Sequence, residues 1–170
     1  MARTIYSRYL SCQGTQDPGK AVTQKISQLP LASRFRRDQD EVSYNRNNDG
    51  DGCILVARGD YDGDHKQDVA LILTKKKGDG TLLIAALRRS EEWDIAELPS
   101  WCGPIGRCFV MSSRPGTYKM TESFDYTTLH PDSREEMTTT TEVIYSGKTE
   151  SSGITYGLIG KIWVHVWVSD

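Results

Sequence analysis

The stretch RGDYDGDHKQDVALIL, Arg58–Leu73, packs four aspartates into nine residues and then turns abruptly apolar. Carboxylates that close repel one another, so the chain must compensate them with a cation or with its own N–H groups. The run that follows, VALILT (Val69–Thr74), has five apolar residues in a row. A run without alternation reads as a strand buried on both faces. Before the aspartates, CILVARGD (Cys53–Asp60) is a strand by its Ile, Leu and Val. After them, KKKGDGT (Lys75–Thr81) is a turn and LLIAALRR (Leu82–Arg89) a third apolar run. Three such runs with short polar connections predict a meander whose first two strands are joined by the acidic loop. The third run also suits a helix by its Leu and Ala, but the tight spacing and the Gly-Asp-Gly before it favour a hairpin.

The pattern continues outward from there. EEWDIAELPSW (Glu91–Trp101) alternates Trp93 and Ile95 against polar neighbours and reads as a fourth strand; RCFVMSS (Arg107–Ser113) reads as a fifth. A strand is expected around Tyr118 and Met120. MTTTTEVIYSG (Met137–Gly147) is strand-like by its β-branched residues, and two strands around Gly160 and Lys161 finish the chain. Toward the start, Asp17 suits a helix N-cap and Pro18 the first helical position. Val22, Ile26 and Leu29 then recur at helical spacing until Pro30. The expectation is an α+β, mostly antiparallel β fold. It takes the form of a single sheet, a sandwich or a partial barrel of about seven to nine strands with one N-terminal helix. No repeat or linker divides residues 1–170, so they read as a single domain.

Composition narrows the functional classes. With 21 basic and 23 acidic residues, the formal charge of −2 gives no long-range attraction for nucleic acid or an anionic membrane. Arg34, Arg36 and Arg37 read as solvated turns. No apolar run approaches the ~20 residues of a membrane helix, so membrane insertion is not expected. RTIYSRYLSC (Arg3–Cys12) lacks the apolar centre of a signal peptide, which suits either a cytoplasmic protein or the mature form of an exported one. The cysteines favour export. Cys12, Cys53, Cys102 and Cys108 are even in number and lack zinc-site spacing. The loop CGPIGRC (Cys102–Cys108) has ends that a bridge can join. Cys102–Cys108 and Cys12–Cys53 is the preferred pairing of the three that four cysteines allow, and the expected location is periplasmic or secreted.

Counted from Asp60, carboxylates occupy the first, third, fifth and ninth positions: Asp60, Asp62, Asp64 and Asp68. Lys66 at the seventh offers its backbone carbonyl. These are positions from which an EF-hand-type loop surrounds a hard cation with oxygen. His65 stands at the sixth position, where a sharp turn calls for Gly, and Leu71 at the twelfth, where an EF-hand places Glu. The loop is therefore no EF-hand, and a strand follows it. Two readings stay open for it: a Ca2+ site, or a hairpin loop whose aspartates cap backbone N–H groups as Asx-turns. Asn48, Asp49 and Asp51 form a second polar cluster that reads first as a turn.

GDYDGDHKQDVALIL (Gly59–Leu73) resembles the FG-GAP or VCBS-type element, in which a strand leads into D-x-[DN]-G-D-G-x-x-D and then a hydrophobic strand. In that family the loop commonly holds calcium. The resemblance implies side-chain ligands at Asp60, Asp62, Asp64 and Asp68 and a backbone ligand at Lys66. Gly63 matches the family's first loop Gly, and His65 replaces its second. The family's propellers need several blades, and one element in this length makes none. The whole chain is more similar to small exported bacterial proteins with a single such loop, mostly of unassigned function. Glu150–Asp170 is similar to their ending.

Elsewhere, catalytic patterns are absent: no G-x-S-x-G, H-E-x-x-H or P-loop occurs. His130, before a proline, reads as a surface residue. On the last strand Trp163, His165 and Trp167 share one face and Ile162, Val164, Val166 and Val168 the other. His165 is either a packed core histidine or part of an exposed Trp–His–Trp stripe for binding a partner. Trp101 beside the cysteine loop suits protein recognition equally well. The functional expectation is a non-enzymatic, exported protein-binding domain, in its most concrete form a periplasmic immunity-type protein that neutralises a secreted toxin. Two alternatives are a small metal-dependent hydrolase using the acidic cluster with a histidine, and a structural calcium module.

Overall fold

The computed structural model describes residues 54–74, 80–90, 92–102, 108–121, 132–148, 151 and 153–168. Among them ten strands and no helix occur. The expected helix from Asp17 to Pro30 lies outside the described residues, as do Cys12, Cys53, Asn48, Asp49, Asp51, His130 and the arginines at 34, 36 and 37.

The acidic stretch sits where the meander places it. β1 (Val56–Gly59), β2 (Asp68–Thr74), β3 (Thr81–Arg88) and β4 (Trp93–Leu98) form an antiparallel sheet in chain order. The third apolar run is thus a strand. Its seven residues from Thr81 to Leu87 are all buried, as an unalternating run predicts. A second sheet has the order β10-β9-β8-β5, built from β5 (Cys108–Ser113), β8 (Val143–Lys148), β9 (Gly153–Ile159) and β10 (Ile162–Val168). A separate hairpin pairs β6 (Gly116–Lys119) with β7 (Glu136–Thr139).

The two four-stranded sheets face each other around one core. Ala57, Tyr61, Ala70, Ile72, Leu83, Ala85, Leu87 and Leu98 of the first meet Val110, Ile144, Ile154 and Tyr156 of the second. Each large side chain buried there stabilises the fold by about 1.5–3 kcal/mol. Along one side the sheets are joined, because Val110 N–H donates to the carbonyl of Ile54 at 2.7 Å, just before β1. The architecture is a β-sandwich closed along that side. The outer face of the second sheet is covered by the β6–β7 hairpin, where Met137 packs with Val143, Val164 and Val166. Gly157 is required at this contact: a Cβ there would meet the Met137 sulfur at 2.6 Å.

One expected strand is two. Met137–Gly147 breaks at Thr140–Glu142 into β7 and β8. Thr139 Oγ1 donates to the carbonyl of Thr141 at 3.0 Å, a local bond that competes with a ladder. The chain therefore turns there and enters a different sheet. That turn brings Glu142 to the acidic loop.

β10 is the last strand of its sheet, and its free edge is occupied. His165 N–H donates to the carbonyl of Asp132 at 3.1 Å, and Arg134 N–H donates to the carbonyl of His165 at 2.8 Å, forming a parallel bridge at Ser133.

Candidate functional site

β1 and β2 pair as far as Gly59 opposite Asp68, so the eight residues between them are a loop with Asp68 at its base. Two residues in the loop take positive φ: Gly63 at 79° and His65 at 62°. The sixth position demands the left-handed turn that the sequence pattern anticipates, and histidine adopts it at some cost. Tyr61 leaves the loop for the core, where burial pushes its phenol well above the ordinary range.

Asp68 is fully buried and clasped from the loop and from β3. Its Oδ2 accepts from Tyr61 N–H at 2.9 Å and its Oδ1 from Arg88 N–H at 2.7 Å. Burial dominates nonetheless and, with Asp62 and Asp64 close by, pushes its carboxyl up to about 6. Asp60 accepts from the N–H groups of Gly63 (2.8 Å) and His65 (3.0 Å). Asp62 Oδ1 accepts from Asp64 N–H at 3.2 Å, while its Oδ2 takes an Arg89 Nη1 hydrogen bond. Asp64 turns the other way. It accepts from Lys66 N–H at 2.9 Å and Lys66 Nζ at 2.7 Å, and the ammonium holds it below the usual carboxylate range.

Of the expected ligands, the structure brings Asp60, Asp62 and Asp68 together. One carboxylate oxygen from each lies within 4.8 Å of the others. Ligands at about 2.3–2.6 Å from a calcium ion stand up to roughly 5 Å apart across it, so this triad can hold a metal ion. Asp64 and Lys66 pair with each other outside the triad. Both readings of the loop are thus present in one geometry: every aspartate caps backbone N–H, and three still converge.

Three contributors lie far away in sequence. Asp60 N–H donates to Glu142 Oε2 at 2.6 Å, and Ser112 Oγ donates to Glu142 Oε1 at 3.3 Å. The loop of the first sheet is tied in this way to β5 and the β7–β8 turn of the second. Arg89, one residue beyond β3, bridges Asp62 and Asp94, with Nη2 3.4 Å from Asp94 Oδ2. Nothing local marks Glu142 within TTTTEVIY or Arg89 within RRSEEW; the fold alone makes them partners.

The four residues expected to bind a partner take different places. Trp101 is 48% exposed, and its ring meets that of Trp167 at 5.1 Å and a 58° tilt. Trp163 and Trp167 are half-buried against the core. His165 is 1% exposed, with its ring 5.7 Å from Tyr156. It occupies the packed position, so no exposed Trp–His–Trp stripe forms. β10 turns that face into the sandwich because the β6–β7 hairpin takes the other. The expected Cys102–Cys108 disulfide is present, with Cα atoms 5.7 Å apart. It is compatible with an oxidising, exported location. No helix among the described residues is long and apolar enough to cross a membrane.

Comparison with protein-family models, with curated proteins and with solved structures gave no match to this chain.

Proposed function

We propose that this chain is a non-enzymatic, exported domain that binds another protein, in its most concrete form a periplasmic immunity-type protein that neutralises a secreted toxin. Trp101 carries the reading. A large aromatic side chain stands half in solvent, held by the Trp167 ring beneath it and by the disulfide at the next residue. Anchored aromatics of this kind lose little entropy on binding and dominate interface energetics. Capture from the source cell with the wild type and Trp101→Ala side by side tests it. Support is a toxic partner that the wild type retains and silences and the variant releases. A partner held equally by both forms, or none at all, rejects it.

Calcium is the ion proposed for the loop. The triad is all oxygen, which selects a hard cation, and calcium tolerates its irregular arrangement better than magnesium. The loop's likeness to the FG-GAP element supports the same choice. A cation there braces a loop that already touches both sheets through Asp68 and Glu142. A metal-dependent hydrolase is the second reading, favoured by His65 Nδ1 at 3.3 Å from Asp60 Oδ2. Among the described residues that imidazole stands almost wholly in solvent, and catalysis of this kind needs a site that excludes water.

A further inference from the structure

Strand alternation gives the first sheet two apolar faces. Ala70, Ile72, Leu83 and Ala85 point into the sandwich. Their neighbours Val69, Leu71, Leu82, Ile84, Ala86 and Trp93 form a separate cluster on the outer face. A side chain on an uncovered sheet face keeps its tip in water. These do not: Ile84 and Ala86 are 0% exposed and Leu71 is 6% exposed. Among the described residues, however, the cluster draws only on β1, β2, β3 and β4. The second sheet meets the same need with the β6–β7 hairpin, whose Met137 packs on Val143, Val164 and Val166. The outer face of the first sheet is buried just as deeply, so it too has an apolar cover.

We propose that residues 17–30 of this chain are that cover, laid across the outer face as an amphipathic helix. Length favours them. Residues 1–53 are the longest run outside the described residues. The next, 122–131, has ten residues and is flanked by Thr121 and Asp132, which are both bonded to β10 in the other sheet. Lys75–Asp79 is a short charged turn. Position favours them as well, because residues 1–53 join the described chain at Ile54, two residues before β1 of this sheet. The pattern supplies the third argument. On a helix, Val22, Ile26 and Leu29 share one face, with Lys20, Gln24 and Ser27 opposite. From Pro18 to Leu29 such a helix runs about 18 Å, enough to cross four strands, which span about 14 Å. The domain then has three layers, helix on sheet on sheet. A chain covered in this way does not offer this apolar face to a partner, and the inference is independent of the calcium and partner readings above.

Nuclear Overhauser contacts between methyl groups of the full wild-type chain test this. The chain is isotope-labelled at its Ile, Leu and Val methyls, and Ile26→Val and Ile84→Val identify the two key signals by their disappearance. Contacts from Val22, Ile26 and Leu29 to Leu71 and Ile84 within one molecule are expected. A mixture of labelled and unlabelled chains separates these from contacts made by a second copy. Urea titration adds a thermodynamic readout. Ile26→Ala and Ile84→Ala each raise the unfolding equilibrium constant roughly 30-fold or more, and the double variant raises it by less than the product of the two. Contacts from the outer face to some other segment, contacts only between copies, or none to residues 22–29 overturn the proposal. Fully multiplicative effects of the two alanine substitutions overturn it as well.

Discussion

Glu142 joins the acidic loop to the opposite sheet, and its removal has a calculable cost. In Glu142→Ala the N–H of Asp60 loses a charged acceptor at 2.6 Å, and Ser112 Oγ loses its acceptor at 3.3 Å. A hydrogen bond to a charged group is worth about 1.5–3 kcal/mol, and a part-buried donor left unpaired forfeits most of it. The Ser112 bond is long and adds little. The expected loss is about 2 kcal/mol, or roughly 4–8 °C in melting temperature for a chain of this length. Glu142→Gln separates the bond from the charge. Its amide oxygen still accepts from Asp60, and its NH2 can donate to Ser112 Oγ, so every partner remains satisfied. Only the charge assistance goes, and the loss is about 1 kcal/mol. Urea denaturation of wild type, Gln and Ala forms at neutral pH measures both values. The reasoning fails if Gln and Ala cost the same, because charge rather than hydrogen bonding would then be the link. It fails equally if Ala costs nothing.

Two further outcomes are expected. Asp68 titrates near 6 in the folded chain against 3.8 as its ordinary value, so the folded state binds its proton more tightly than the unfolded state. The stability this group lends is complete below about pH 4 and is lost as pH rises through 6, a swing of about 2–3 kcal/mol. Asp68→Asn flattens the stability slope between pH 4 and 6 in metal-free urea titrations, and an unchanged slope would contradict the assignment. His65→Gly relieves the positive φ of 62° and raises stability by up to about 1 kcal/mol; a loss in thermal denaturation would show that the imidazole contributes more than its backbone costs.

Much of the sheet order was legible because apolar runs and turn residues alternate along the chain from Cys53 onward. The unalternating VALILT and LLIAAL read as buried strands, the second against a helical alternative, and both are central in the first sheet. Met137–Gly147 was misleading for a physical reason. Four successive threonines have the same strand propensity on either side of a turn, and the break at Thr140 is fixed by a side-chain bond and by Glu142, not by a Gly or Pro. The site was half legible. Odd-position spacing marked the aspartates, and the need for positive φ at position 65 was visible from the pattern. Spacing placed all four carboxylates in one ligand set, whereas Lys66, two residues on, draws Asp64 away. His165 illustrates the limit of face counting. Periodicity assigned it to a face with two tryptophans, but which face turns inward depends on a hairpin packed from elsewhere in the chain.

The parallel bridge along β10 bears on how the protein behaves at high concentration. An open sheet edge is a template for another chain, and a strand as apolar as IWVHVWV would be a ready one. Here the outward backbone groups of His165 are taken by Asp132 and Arg134, and the carbonyl of Trp167 accepts from Thr121 N–H at 3.3 Å. Among the described residues the segment that takes them is irregular and makes a single bridge, at Ser133, so it caps the ladder. An apolar edge strand is thereby closed to strand-by-strand polymerisation by a few residues that carry no strand themselves.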